Sequence, residues 1–150
     1  VDESGEASMV DVGEKLETVR QAVATATVVM LPETLSLIVQ NQIKKGDVLS
    51  VARISGIMAA KQTPSLIPLC HTLQLNQVSV EFEIDDENHS ILIEAFVATS
   101  AKTGVEMEAL TAGAVAGLTI YDMCKSAERT IKINNIRLLQ KTGGKHTYSV

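Results

Sequence analysis

The chain has 150 residues, 45% hydrophobic and 21% charged, and its 13 Lys and Arg against 18 Asp and Glu leave a net charge of −5. That profile fits a single core-forming domain and excludes a disordered segment. The uncharged and mostly apolar runs Gln21–Pro32 and Ala109–Tyr121 fall short of the roughly 18–20 apolar residues that span a bilayer, which excludes a transmembrane helix and a membrane partner.

Residues 1–11 read as a flexible, polar N-terminal arm. The acidic start lacks the basic residues and apolar run of a secretory signal, and the missing initiator Met leaves room for a removed segment. Thr18–Met30 spaces Val, Thr and Ala with period two, which predicts a strand. Pro32-Glu33-Thr34 suits the first turn of a helix continuing to Gln42, and Lys44-Lys45-Gly46 breaks it. Asp47–Lys61 predicts a second helix, with Asp47 as its cap. Thr63–His71 contains Pro64 and Pro68 and is expected to be irregular. Leu75–Ile84 and Ile91–Thr99 alternate as strands around the hairpin loop Asp85-Asp86-Glu87-Asn88. Gly104–Ala127 predicts a long helix rich in small residues, with Thr103 and Glu106 at capping-box spacing. Ile131–Leu139 is the last predicted strand, ended by Gly143-Gly144.

With the two adjacent helices merged, the order is βαββαβ. That order predicts an α+β, ferredoxin-like fold: a four-stranded antiparallel sheet with helices packed on one face. The outward positions of the open face are not uniformly polar, so another subunit is expected to cover it.

Aromatics make up 3% of the chain and Trp is absent. With an isoelectric point near 5.2, this argues against a base-stacking nucleic-acid partner. Cys70 and Cys124 are too few for a disulfide scaffold and read as reduced thiols of a cytoplasmic protein. Without CxxC or HExxH there is no zinc signature, and no protein-held metal is expected. Cys70-His71 offers a thiol–imidazole pair, but adjacent side chains rarely face each other, so a small buried thiol is the simpler reading of Cys70. Glu106 and Glu108 are ordinary in a first helical turn. Asp122 and Lys125 share a helix face. Emerging from an uncharged helix, they are expected to be partly desolvated, which would poise the amine for proton transfer. Lys44, Lys45, Lys61, Lys102, Lys125, Lys141 and Lys145 sit at breaks or element ends. They read as solvated loop lysines or as a convergent phosphate site.

Met9-Val10-Asp11-Val12, Lys45-Gly46-Asp47-Val48, Leu66–His71, Thr103–Thr111 and Leu118–Lys125 occur in this order. Together they resemble the molybdenum cofactor biosynthesis protein C family, the cyclic pyranopterin monophosphate synthases, from about Gly5 to Gly144. The resemblance implies conversion of 3',8-cyclo-7,8-dihydro-GTP to cyclic pyranopterin monophosphate with release of pyrophosphate, by a cytoplasmic hexamer built from dimers. It implies Asp122 and Lys125 as the catalytic pair. Leu69, Cys70, His71, Met107, Glu108 and Glu106 would line or adjoin the substrate. Lys45, Lys102 and Lys141 would face its phosphates or ring, with Asp11 and Arg20 assisting. No cofactor is implied, and any Mg²⁺ would travel with the substrate phosphates. Thr72 stands where the family often has Pro.

Glu108 and Asp122 lie about 21 Å apart along one helix at 1.5 Å per residue. If both line one site, two antiparallel copies of this helix are expected, with Ala112, Gly113, Ala114, Ala116 and Gly117 allowing close approach and the site shared between subunits. The rival reading is a non-catalytic oligomeric nucleotide- or pterin-binding protein.

Overall fold

Strand β1 (Thr18–Val29) alternates as its sequence does, with Ala22, Ala24, Ala26 and Val28 at 1% exposure or less on one face. This is seen in a computed structural model that describes residues 2–144 and 147–150. The chain continues through α1 (Pro32–Val39), α2 (Val48–Leu66), β2 (Gln77–Asp85), β3 (Ser90–Ala101), α3 (Glu106–Cys124), β4 (Lys132–Thr142) and β5 (Tyr148–Ser149). The sheet runs β2-β3-β1-β4-β5, and its pairings are antiparallel. The first four strands have the ferredoxin-like order. The predicted four strands become five because Tyr148–Ser149 pairs antiparallel with β4, Lys141 opposite Tyr148.

The core lies between the sheet and the helices. Ile91, Ile93, Ala95 and Val97 of β3 and Ala109, Ala112, Ala116 and Ile120 of α3 are fully buried. Such burial contributes about 25 cal/mol per Å² of apolar surface removed from water. Helix α2 crosses α3 at Gly56, where a Cβ would stand 3.0 Å from the Ala112 carbonyl oxygen and 3.0 Å from a Val80 methyl. Any side chain there would oblige these neighbours to give by a few tenths of an ångström. Beside it, the hydroxyls of Ser55 and Thr119 hydrogen-bond at 2.6 Å.

Three expectations are corrected. Helix α2 continues through Pro64 to Leu66 rather than ending at Lys61. Pro64 falls in the final turn, so few later backbone bonds depend on it, and Ile67 N still closes onto Thr63 O at 2.9 Å. The N-cap of α3 is Val105 and makes no side-chain cap bond, so Thr103 does not form the predicted capping box. Several of the small residues of α3 are used within the chain. Ala112 and Ala116 receive Gly56, and a Cβ on Gly117 would stand 3.1 Å from Ile133. Gly113 is itself buried, although a Cβ there would meet nothing within 4 Å, and Ala114 beside it is half-buried.

Candidate active site

Helix α3 carries site candidates at both ends. At its C-terminal end Asp122 is held between two lysines. Lys125 lies one turn on, with Nζ 3.0 Å from Asp122 Oδ1. Lys45 arrives from the loop after α1 and donates to both Asp122 Oδ2 and the Asp122 carbonyl at 3.2 Å. The hydrogen bonds from Lys125 and then Lys45, reinforced by their charges, hold the Asp122 carboxyl below the usual carboxylate range. The expected desolvation is absent in a single chain, where the Lys125 and Asp122 side chains are 46% and 57% exposed. The reason is geometric: the pair projects from the last turn of α3, past the core.

The N-terminal end gathers a second set. Glu108 is only 3% exposed; burial, with the Glu106 charge adding to it, pushes its carboxyl up. Cys70 lies close enough to feel that carboxylate, and its thiol is raised first by burial and then by Glu108. A raised thiol is a poor nucleophile, and Cys70 is half-buried rather than buried as expected. Glu106 is ion-paired with Lys141 of β4. His71 does not face Cys70; its Nε2 is 2.6 Å from the Val10 carbonyl in the N-terminal arm. Lys102 donates to the Gly13 carbonyl at 3.4 Å. The arm therefore lies against His71, and the segment just after it against Lys102. Asp11 accepts from Gly13 N at 2.8 Å, an exposed local turn. Met107 is half-buried and Leu69 is 44% exposed.

Arg20 is buried and donates from Nε to Ala101 O at 3.2 Å and from Nη2 to Lys102 O at 3.1 Å. Gly143 and Gly144, both with positive φ, close over it; a Cβ on Gly143 would collide with the Val19 carbonyl oxygen. A cleft of about 340 Å³ opens beside these residues, lined by His71, Lys102 and the neighbouring Thr72, Gln74, Ser100 and Thr103. Residue reading named Thr103 only as a helix cap and Thr72 only as a departure from the family pattern, and it did not single out Gln74 or Ser100. A larger cleft of about 640 Å³, between Ile57, Lys61 and residues 73–78, contains none of the residues that the family resemblance implies.

The predicted residues thus form two groups around the two ends of α3: Lys45, Asp122 and Lys125 at one end, and Arg20, Cys70, His71, Lys102, Glu106, Glu108 and Lys141 at the other. Lys44 and Lys61 join neither ion pair, and Lys145 lies outside the described residues. No group of three or more His, Cys, Asp or Glu side chains able to hold a metal occurs among the described residues. None of their helices is long and apolar enough to cross a membrane.

The sequence profile of the MoaC family matches residues 9–144. Among similar proteins, one from Chloroflexus aurantiacus is 56% identical over 145 residues, covering 97% of this chain and 89% of its own length. One from Syntrophomonas wolfei is 55% identical over 150 residues, covering 100% and 96%. One from Roseiflexus sp. is 57% identical over 145 residues, covering 97% and 92%. Each of the three bears the name cyclic pyranopterin monophosphate synthase.

Proposed function

The chain belongs to the MoaC family, and from that membership we propose that it is a cyclic pyranopterin monophosphate synthase, a lyase of molybdenum cofactor biosynthesis. It converts 3',8-cyclo-7,8-dihydro-GTP to cyclic pyranopterin monophosphate and pyrophosphate. In the closing step a substrate hydroxyl attacks the α-phosphorus. A P–O bond forms, the P–O bond to the β-phosphate breaks, and the hydroxyl proton passes to a base.

The observation that carries the assignment of roles is the gathering of Lys45 and Lys125 on Asp122 from opposite sides. Lys125 carries protons during ring opening and closure, and Asp122 holds it in place and shares its proton. Lys45, Lys102 and Lys141 bind the triphosphate and stabilise the leaving pyrophosphate, assisted by Arg20 and Asp11. Leu69, Cys70, His71, Glu106, Met107 and Glu108 line or adjoin the ring system.

The two groups lie too far apart along α3 for one nucleotide-sized ligand to reach both within a single chain. A second copy, its α3 antiparallel, supplies the missing end, and such dimers build a hexamer. The same contact removes water from the exposed Asp122–Lys125 pair. Free thiols at Cys70 and Cys124 suit the reducing cytoplasm.

The test is turnover of the cyclised nucleotide by purified protein. The native chain forms product with release of pyrophosphate. Lys125→Ala binds substrate and loses turnover by about 10²-fold or more. Binding without product by the native chain would favour a non-catalytic nucleotide- or pterin-binding protein.

A further inference from the structure

We propose that Glu128 is a positioning residue for the Lys45–Asp122–Lys125 cluster: its carboxylate clamps the start of α1 to the turn after α3, and this clamp sets where Lys45 arrives on Asp122. The inference rests on the catalytic reading of that cluster.

Glu128 lies outside every motif that pointed to function, yet it is only 8% exposed. A carboxylate is rarely buried without partners. Here Oε1 accepts from Leu31 N at 2.9 Å and Thr34 Oγ1 at 2.8 Å, and Oε2 accepts from Thr130 Oγ1 at 2.5 Å. Its own N–H bonds to Cys124 O at 3.0 Å, so the carboxylate is anchored to the last turn of α3. Leu31, the N-cap of α1, makes no side-chain cap bond. Glu128 therefore supplies from a distant segment the anionic acceptor that the start of α1 lacks.

The path from this clamp to Lys45 is short and fixed. Helix α1 spans eight residues. After it Gln42 N bonds to Leu37 O at 2.8 Å, Ile43 is buried, and Gly46 N bonds to Ile43 O at 3.0 Å. Lys45 then meets Asp122. The α1 segment is thus a strut tied to the end of α3 at two points, by Glu128 at its start and by Lys45 beyond its finish. Releasing one tie lets the other drift.

A plain helix cap would bind the same groups, so the experiment must separate capping from positioning. Leu31 is 52% exposed, and Leu31→Asp gives α1 a cap of its own without restoring the tie to α3. Glu128→Ala is expected to lower kcat about tenfold or more with KM within about twofold. It should also shift the Asp122 titration, followed by carboxyl ¹³C NMR without substrate, up toward the ordinary carboxylate range, since Lys45 and Lys125 are the charged groups that hold it down. Glu128→Ala/Leu31→Asp should recover the thermal midpoint while kcat and the Asp122 titration stay altered. Glu128→Gln, whose amide oxygen still accepts from Leu31 N and Thr34, should retain most of kcat. It also serves as the readable variant if the alanine chain does not fold.

Recovery of kcat together with thermal midpoint in the double variant would overturn the proposal, as would an unmoved Asp122 titration in Glu128→Ala. A shifted titration alongside a native chain without turnover would uphold the clamp and remove only the catalytic reading.

Discussion

Asp122 and Glu108 show how one helix pushes two carboxyls in opposite directions. Asp122 is held down by its hydrogen bonds to Lys125 and Lys45, whereas Glu108 is pushed up by burial. For Lys125 the decisive substitution is arginine, which keeps the positive charge and a donor for Asp122 but cannot release a proton near neutral pH. Lys125→Arg should retain substrate binding and lose turnover, as separate binding and product assays would register; full activity would refute proton transfer by Lys125. For Glu108 the prediction concerns stability. A carboxyl raised on folding binds more protons in the native than in the unfolded chain, so stability falls as pH rises from the unfolded value of 4.5 through the folded one. Glu108→Gln should remove that decline and leave the chain more stable than the native one at pH 8, with little difference near pH 4; urea unfolding at both values tests it. Glu128 carries the opposite sign. Burial would raise it, but hydrogen bonds from Thr130, the Leu31 N–H and Thr34 together outweigh burial and lower it. Its contribution is present above pH 4.5 and is lost as pH falls through the lowered value.

Helices α2 and α3 depend on Gly56 at their crossing. Valine there would press its Cβ against the Ala112 carbonyl and Val80 and would still have two methyls to place. Gly56→Val should therefore destabilise by about 1–3 kcal/mol, measured from the denaturant midpoint. The crossing also marks where the sequence stopped being readable. Period-two spacing located β1, β2 and β3 to within a few residues, because each buries one face against the helices. The end of α2 was misjudged because proline weakens a helix without terminating it when few backbone bonds remain beyond it. Strand β5 was missed because two residues carry no period and are held by pairing with β4. The site divides the same way. Asp122–Lys125 was legible because residues three apart share a helix face. The Lys45–Asp122 bond and the Glu128 bonds to Leu31 and Thr34 were not legible, because they join segments distant in sequence that only the folded chain brings together. Glu106 was assigned to a cap that does not form; its partner, Lys141, comes from β4.

The whole molecule poses one question that a single chain leaves open: what occupies the space between the two ends of α3. Asp122 and Lys125 stand half in solvent, an environment in which an ion pair contributes only about 0–1 kcal/mol and a lysine gains little as an acid or base. A covering chain would change both. Ala114, half-buried on α3, and the open space over Gly113 leave room for an antiparallel neighbour, although Ala112, Ala116 and Gly117 are committed to packing within the chain. The prediction is complementation. Glu108→Ala and Asp122→Ala chains should each be inactive alone, because each spoils both sites of a symmetric pair. When the two are co-refolded in equal amounts, half of the pairs combine one of each, and every such pair holds one site with both carboxylates and one with neither. Activity should then reach about a quarter of the native value by the two-fold arrangement. Chains mixed without refolding should stay inactive until subunits exchange, and the time course of recovery should follow that exchange. A self-contained site would give no recovery even with mixed pairs demonstrated by mass spectrometry, because no chain in the mixture carries both groups.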